Sequence, residues 1–518
     1  VGVNRIKNRE MTKNKIKLLD CTLRDGGYYT NWDFDKDLVS SYCKSMNTSP
    51  IDYVEIGYRS IALEGYLGEY FYCPDFVMKE LKEMMPSKKL VIILNEKDIR
   101  ASHVPKLLKP CQEYVYMVRI AVDPANFKGA IELAKAVKLM GFEVAFNVMY
   151  MSKWKSDNSF LDLLEGLDNT IDYFYMVDSF GGVYQEDVIE IINLVKSKTK
   201  VKLGFHGHNN LEMALANTIT AMNEGCEIVD ATITGMGRGA GNLRTELLLT
   251  YLNSKGYEGI SFEDLSATVA LFEDMKKDYG WGTNLPYMFS GAYSLPQKQV
   301  MQWVGMNRYP IASIVNALQN KKSSIDDNLR LQNLENKDPS KDVLIVGGGN
   351  SVRENKHAIH VFLQQNKDIK LIHTGLKYIS DFSKVDNGQY YALVGFEGDK
   401  LLDAVKGVDL SNKKFVYPPH PRKMGTLIPK ETMTSSYELA TIDFTKASDD
   451  SPLAIAIQLA INLEVNNVYL IGFDGYDTNN NQFKLVQENQ NVFLDLLKIE
   501  DIEVCSLTLS KYEKLKHS

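Results

Sequence analysis

Two short stretches of the sequence carry residues able to hold a metal ion and to meet a developing negative charge. In 18–27, LLDCTLRDGG, Arg24 and Asp25 follow an apolar run that reads as a β-strand, and the two glycines after them allow a sharp turn. In 201–210, VKLGFHGHNN, His206 and His208 close a second such run. Strand side chains alternate between faces, so positions i and i+2 point the same way and both imidazoles can aim at one point. One carboxylate and two neutral imidazoles form a sound ligand set for a divalent ion, with positions left open for substrate. Mixed nitrogen and oxygen ligands suit Mn²⁺, Mg²⁺, Fe²⁺, Co²⁺ or Zn²⁺ and select none of them sharply. Each piece alone has a plainer reading: a His-x-His pair arises by chance, Asp25 could serve a turn, and Arg24 could be a surface charge. Their coincidence at the ends of two predicted strands favours a site.

Those strand ends need a common scaffold. Apolar, β-rich segments recur at 18–23, 53–58, 90–94, 114–122, 143–150, 173–180, 201–208 and 227–235. Amphipathic stretches such as 129–141 and 211–225, the second closed by Gly225, fill the gaps. Eight strand–helix alternations predict an α/β chain opening with a (β/α)8 TIM barrel over 15–260, whose active site belongs at the C-terminal ends of its strands. A doubly wound open sheet accounts for the alternation but not for the count. Residues 1–14 read as a flexible leader without the apolar centre of a secretory signal. Residues 261–319 read as a helical extension, and 320–341, polar and carrying Pro339, as a linker. A second, Rossmann-like α/β domain is expected over 342–518, with a strand beginning in 342–351 and others near 369–375, 390–396, 413–419 and 466–475.

Composition narrows the function classes. With 59 basic and 66 acidic residues the formal charge is −7, so no basic excess points to nucleic acid or to an anionic membrane surface. The longest apolar stretch, 451–465, is interrupted by Gln458, Asn462 and Glu464 and is too short to span a bilayer. The six cysteines are scattered, with no CxxC pair, which excludes a disulfide framework and a zinc ribbon and makes the reducing cytoplasm the expected location.

Taken as an ordered set, TLRDGG, EIG (Glu55), VRIA (Arg119), VDSFGG (Asp178, Ser179), GFHGHNN and TGMGRGAGNLRTE resemble the DRE-type metallolyase superfamily of TIM barrels, over about 15–303. That superfamily holds pyruvate-specific hydroxy-oxoacid aldolases, 3-hydroxy-3-methylglutaryl-CoA lyase, and the isopropylmalate and homocitrate synthases. The likeness is greatest to aldolases of the 4-hydroxy-2-oxovalerate type, through the short TLRDG motif and the Tyr-, Gly- and Ser-rich LPYMFSGAYS at 285–294. The resemblance implies Asp25, His206 and His208 as metal ligands, Asn242 as a fourth, and Arg24 as the group that hydrogen-bonds the keto oxygen. It implies a divalent ion, Mn²⁺ or Mg²⁺ first and Zn²⁺ or Co²⁺ next. The substrates it implies are pyruvate with an aldehyde, or a 4-hydroxy-2-oxoacid; a homo-oligomer is expected. Such aldolases commonly carry a histidine three residues after the metal aspartate, and here that position is Tyr28. Free tyrosine has a pKa near 10, so Tyr28 needs a lowered pKa to be the base, and otherwise acts through a water or shapes the pocket. Tyr29, Tyr287 and Tyr293 are further protic candidates, Tyr293 being taken with Arg24 and Tyr28 as catalytic. The loop GMGRGAGN (235–242) is expected to close over the site rather than to cradle a phosphate. Two other functions fit the motifs: an acyl-CoA-dependent Claisen-type synthase or lyase, and a degenerate barrel acting as a binding module.

In the second domain, VLIVGGGNSV is a strand, a glycine-rich turn and a helix start, an arrangement that can present amides to a phosphate. Val352 occupies the third glycine position of the dinucleotide fingerprint, and the strand at 369–375 ends without an acidic residue, so NAD is disfavoured. GGGNS together with 451–476 resembles Rossmann-like proteins that include sialyltransferase-like glycosyltransferases and motility accessory factors, with Asn350 in place of their loop proline. That resemblance implies a nucleotide or nucleotide sugar near Gly348, Gly349, Asn350, Ser351 and Asp474. Fused to an aldolase barrel, it suggests synthesis of an unusual sugar acid for surface polysaccharide.

Overall fold

The computed structural model describes residues 16–306, 309–334, 339–476 and 483–517. The leader expected at 1–14 lies outside the described residues. The chain divides into two compact units between Gly305 and Met306.

In the first unit eight parallel strands close into a barrel in sequence order. They are β1 (Lys17–Asp20), β2 (Tyr53–Tyr58), β3 (Lys89–Asn95), β4 (Val115–Val122), β5 (Glu143–Val148), β6 (Tyr173–Asp178), β7 (Lys202–Gly207) and β8 (Ile228–Ala231). Closure comes from β1 pairing with β8, Leu18 opposite Val229. The strands read as near-continuous apolar runs because helices cover the outside while side chains fill the inside. Leu18, Val54, Val118, Phe174 and Val229 face outward into the main core. Their neighbours Leu19, Tyr53, Met117, Tyr173 and Ile228 face inward and fill the barrel. Two residues further along the even-numbered strands, the inward positions are Glu55, Arg119, Tyr175 and Asp230, each at most 2% exposed. A charged layer therefore lies directly beneath the C-terminal mouth.

The first strand is shorter than its apolar run suggests. Asp20 accepts hydrogen bonds from the Thr22 amide (2.9 Å) and the Thr22 hydroxyl (2.6 Å), turning the chain at once into the helix Thr22–Thr30. Arg24 and Asp25 thus stand on a helix, and Gly26 and Gly27 make no turn. Their glycines answer a packing demand: a Cβ on Gly27 would come within 2.1 Å of the Trp32 ring, and one on Gly26 within 2.5 Å of Met236 Sδ.

After β8, the helices Phe262–Tyr279, Leu285–Ala292 and Gln297–Gly305 complete the first unit. The helix Ile311–Lys322, expected within the same extension, belongs by its packing to the second unit. There, β9 (Asp342–Val346), β10 (Lys370–His373), β11 (Gln389–Ala392), β12 (Lys413–Tyr417), β13 (Ser436–Glu438), β14 (Asn467–Ile471), β15 (Glu503–Ser506) and β16 (Lys516–His517) form one parallel sheet. Its order is β13-β12-β11-β10-β9-β14-β15-β16, so the direction of winding reverses between β9 and β14. Part of the segment expected as a linker is docked on this sheet: Leu334 donates to the Glu438 carbonyl and Glu438 to that of Gln332, both at 3.0 Å. None of the described helices is long and apolar enough to cross a membrane.

Candidate metal centre at the barrel mouth

Asp25, His206 and His208 come together at the C-terminal end of the barrel, with one potential ligand atom from each lying within 4.8 Å of the others. All three are buried, at 1%, 3% and 7% exposure. Each imidazole is anchored through Nδ1: that of His206 lies 2.8 Å from Asp230 Oδ2, and that of His208 lies 2.7 Å from the Asp178 carbonyl. Both anchors are acceptors, which places the ring proton on Nδ1 and leaves each Nε2 as a lone-pair donor. His206 Nε2 lies 3.6 Å from Asp25 Oδ2. Burial and the neighbouring His206 hold the His208 pKa down to about 3, so this ring is neutral at neutral pH, the state a metal requires. Burial, the largest influence, would protonate Asp25, but the Arg24 guanidinium and the lesser favourable contacts around it together outweigh burial, and the carboxyl stays well below the usual range.

The fourth expected ligand is also in place. Asn242 Nδ2 donates to Asp25 Oδ2 at 2.5 Å and to the Met236 carbonyl at 3.3 Å. Its Oδ1 is buried without a hydrogen-bond partner. A buried amide oxygen left unpaired is costly in a finished structure and natural beside a cation. Two lone-pair nitrogens, an ionised carboxylate and this orphaned oxygen fit a divalent ion. The loop that carries Asn242 is zipped onto β7: Leu243 N–H donates to the Gly207 carbonyl at 3.2 Å and Asn209 N–H to the Gly241 carbonyl at 2.8 Å.

Arg24 is fixed by two carboxylates. Its Nε bonds Glu55 Oε2 and its Nη1 bonds Asp25 Oδ1, both at 2.7 Å. Among the described residues its Nη2 has no partner. Beneath it, Arg119 Nη2 bonds Asp230 Oδ2 at 2.5 Å, its Nη1 lies 3.3 Å from Glu55 Oε2, and its guanidinium stacks 4.1 Å from the Tyr175 ring. The charged layer therefore links Arg24, Glu55, Arg119, Asp230 and His206 in one chain of contacts. Glu55 and Arg119 stood out in the sequence by their motifs. Asp230 did not, although its inward place on β8 is set by the same alternation as Ile228.

The tyrosines divide. Tyr28 Oη lies 2.9 Å from Tyr58 Oη, a partner the sequence gave no reason to select. Tyr29 hydrogen-bonds the Gly239 carbonyl at 3.3 Å. Tyr287 is buried, with its phenol pushed up to about 12 by desolvation. Tyr293 is 44% exposed with its ring against Phe289, so the structure does not gather it with the buried cluster.

In the second unit, Gly349 and Ser351 meet Asp474 where the loops after the adjacent strands β9 and β14 come together, while no contact brings Gly348 or Asn350 to it among the described residues. The loop is not an open phosphate cradle. Gly347 and Gly349 N–H donate to the carbonyls of Ile471 and Gly472, at 2.8 and 2.7 Å, and the Ser351 amide and hydroxyl both donate to the Asp474 carboxylate. The helix that begins there, Ser351–Glu354, is four residues long. A Cβ on Gly349 would sit 2.4 Å from that carboxylate, so this glycine serves the close approach of two loops.

Comparisons with known proteins agree with the barrel. Residues 15–271 match the family model described as HMGL-like. The chain is 27% identical over 241 residues to an oxaloacetate decarboxylase of Mycobacterium tuberculosis, covering 46% of this chain and 70% of that protein. It is 29% identical over 248 residues to a 4-hydroxy-2-oxovalerate aldolase of Carboxydothermus hydrogenoformans, covering 47% and 72%. The crystal structure of the N-terminal domain of a candidate aldolase from Bacteroides vulgatus matches with 51% identity and a TM-score of 0.55, covering 58% of this chain and 100% of that one.

Proposed function

The chain belongs to the HMGL-like family through residues 15–271, and on that premise we propose that it is a divalent-metal-dependent aldolase working through the enolate of pyruvate. The family makes it a carbon–carbon lyase; the pyruvate unit and the aldehyde partner are our reading. The supporting observation is the anchoring of both imidazoles from behind, which leaves two Nε2 lone pairs gathered with the Asp25 carboxylate, beside an Asn242 amide whose oxygen is buried without a partner. The two named relatives share one chemical demand. Breaking the C3–C4 bond, one carbon beyond the ketone, in a hydroxy-oxoacid or in oxaloacetate, leaves a pyruvate enolate.

A divalent cation held by Asp25, His206, His208 and Asn242 would supply Lewis acidity that stabilises the developing enolate. The chain's own groups do the rest. Arg24, locked by Glu55 and Asp25, offers Nη2 to the keto oxygen where charge develops. In cleavage the 4-hydroxyl loses its proton and its oxygen closes the aldehyde carbonyl, the C3–C4 bond breaks, its electron pair becomes the C2–C3 double bond of the enolate, and the carbonyl pair moves onto the keto oxygen. Tyr28 Oη takes this proton while passing its own to solvent, and Tyr58, to which it is hydrogen-bonded, holds the phenol in position. Burial of Arg24, Asp25 and Glu55 at 6% exposure or less excludes water from the anion.

For the second unit, we propose a nucleotide or nucleotide sugar in the crevice between β9 and β14, on its position where the winding reverses and not on a phosphate cradle. A sugar-acid product destined for surface polysaccharide would join the two units' chemistry. Calorimetry of the full chain with CMP and UDP tests this, and absence of binding overturns it. All six cysteines are free, five of them buried, which supports a cytoplasmic setting for the proposed homo-oligomeric enzyme.

The test of the barrel reading is pyruvate in heavy water. Metal-loaded protein is expected to place deuterium in the methyl group without any aldehyde, and Asp25→Asn to abolish it. No exchange with Mn²⁺, Mg²⁺, Co²⁺ or Zn²⁺ would overturn the reading.

A further inference from the structure

Arg238 differs from the other two arginines of the mouth. Arg24 and Arg119 are each paired with two carboxylates. Arg238 is half-buried, yet among the described residues its guanidinium has neither an ion-pair partner nor a hydrogen bond. What it touches is the Tyr28 ring, 4.7 Å from the guanidinium carbon. Its charge is felt by Asp25 and Tyr58 as well as Tyr28, which puts it over the same site.

The cation is held in place by the loop that carries it. Asn242 N–H donates to the Gly235 carbonyl at 3.0 Å, Gly241 N–H to that of Arg238 at 3.1 Å, and Gly282 N–H to that of Gly239 at 3.1 Å. Gly241 has φ of +78°, and a Cβ there would lie 2.0 Å from the Gly235 oxygen, so the loop has little freedom to swing away. A guanidinium partly withdrawn from water, with its donors unfilled, is a binding site awaiting an acceptor. Arg24 and the metal ligands already account for the keto and carboxylate oxygens of a pyruvate unit. Arg238 lies instead over Tyr28, the group assigned to the proton of the aldehyde-derived hydroxyl.

We propose that Arg238 binds a second anionic group, a carboxylate or a phosphate, on the aldehyde-derived end of the substrate. This rests on the pyruvate-enolate reading, which supplies the other end.

The test is calorimetric, on the full chain loaded with Mg²⁺ and saturated with oxalate to fill the metal. Inorganic phosphate and succinate are titrated separately. At least one should bind, and the tighter of the two identifies the phosphoryl or carboxylate source. Arg238→Gln should weaken that binding at least tenfold, while Arg238→Lys, which keeps a cation, should stay within about threefold of the parent. Binding of neither anion, binding unaltered in Arg238→Gln, or equal loss in the Gln and Lys variants would overturn the assignment. Pyruvate deuteration by the same preparation separates the two claims. Exchange without anion binding overturns the role of Arg238 alone. Anion binding without exchange overturns the pyruvate reading, and with it the placement of the anion on an aldehyde.

Discussion

The barrel mouth and the glycine-rich crevice of the second sheet both gather polar residues at the C-terminal ends of parallel strands, and they differ in what is left over. At the mouth four functional side chains are each held through part of their polar atoms and free at another. His206 and His208 are tied through Nδ1, Asn242 through Nδ2, and Arg24 through Nε and Nη1. The free histidine nitrogens converge with the Asp25 carboxylate. In the crevice the groups satisfy one another: the Ser351 amide and hydroxyl both end on Asp474, and the Gly347 and Gly349 amides on the facing loop. Glycine count and strand-end position do not separate the two regions, whereas the inventory of unfilled donors and acceptors does.

The largest expected effect that sharpens this contrast is at Arg24. Replacing it by Lys keeps the charge but cannot bond Glu55 and Asp25 and still reach the keto oxygen, so pyruvate deuteration should fall by about 10²–10³-fold with metal affinity changed far less. Equal loss of both, measured by exchange and metal titration, would make Arg24 a support of the ligands only. Next comes Asp230→Asn. It removes the anionic anchor of His206 Nδ1 and one partner of Arg119, and metal affinity should drop about 10–100-fold.

Asp178 gives a smaller effect on stability. Its buried carboxyl is pushed up to about 7, burial outweighing hydrogen bonds from the amides of Gly182, Val183 and Gly181. The unfolded value is near 3.9, so the folded protein binds this proton more tightly. Stability should therefore fall as pH rises from about 4 to about 7, and Asp178→Asn should flatten that part of the curve by about 3 kcal/mol in denaturant titrations. An unchanged slope would place the charge elsewhere. The smallest effect belongs to the crevice: Ser351→Ala should cost about 1 kcal/mol of stability and leave metal binding and deuteration at the mouth untouched. A loss of deuteration there would break the separation of the two regions.

The sequence displayed the barrel through the spacing of its apolar runs, and β2 coincides with the expected 53–58. It misled where one side chain overrode the pattern. Asp20 caps the next turn and ends β1 early, so residues expected at a strand end stand on a helix. Asp25, His206, His208 and Asn242 were legible because their motifs are contiguous or two apart. Asp230, Tyr58 and Arg238 were not selected, because what distinguishes them is a partner, present or missing, far away in the chain. Five of the second unit's strands, β9 to β12 and β14, were legible for the same reason as the barrel's, whereas the short β13, β15 and β16 were not expected, and the crowding of Gly349 by Asp474 depends on two loops 125 residues apart and leaves no local trace.

The measurement that bears most directly on the whole account is Mn²⁺ titration of the protein by electron paramagnetic resonance, alongside Asp25→Asn and His208→Ala. One tight site per chain in the parent, weakened at least a thousandfold in each variant, is the predicted result. Undiminished Mn²⁺ binding in either variant, or none in the parent, would contradict it.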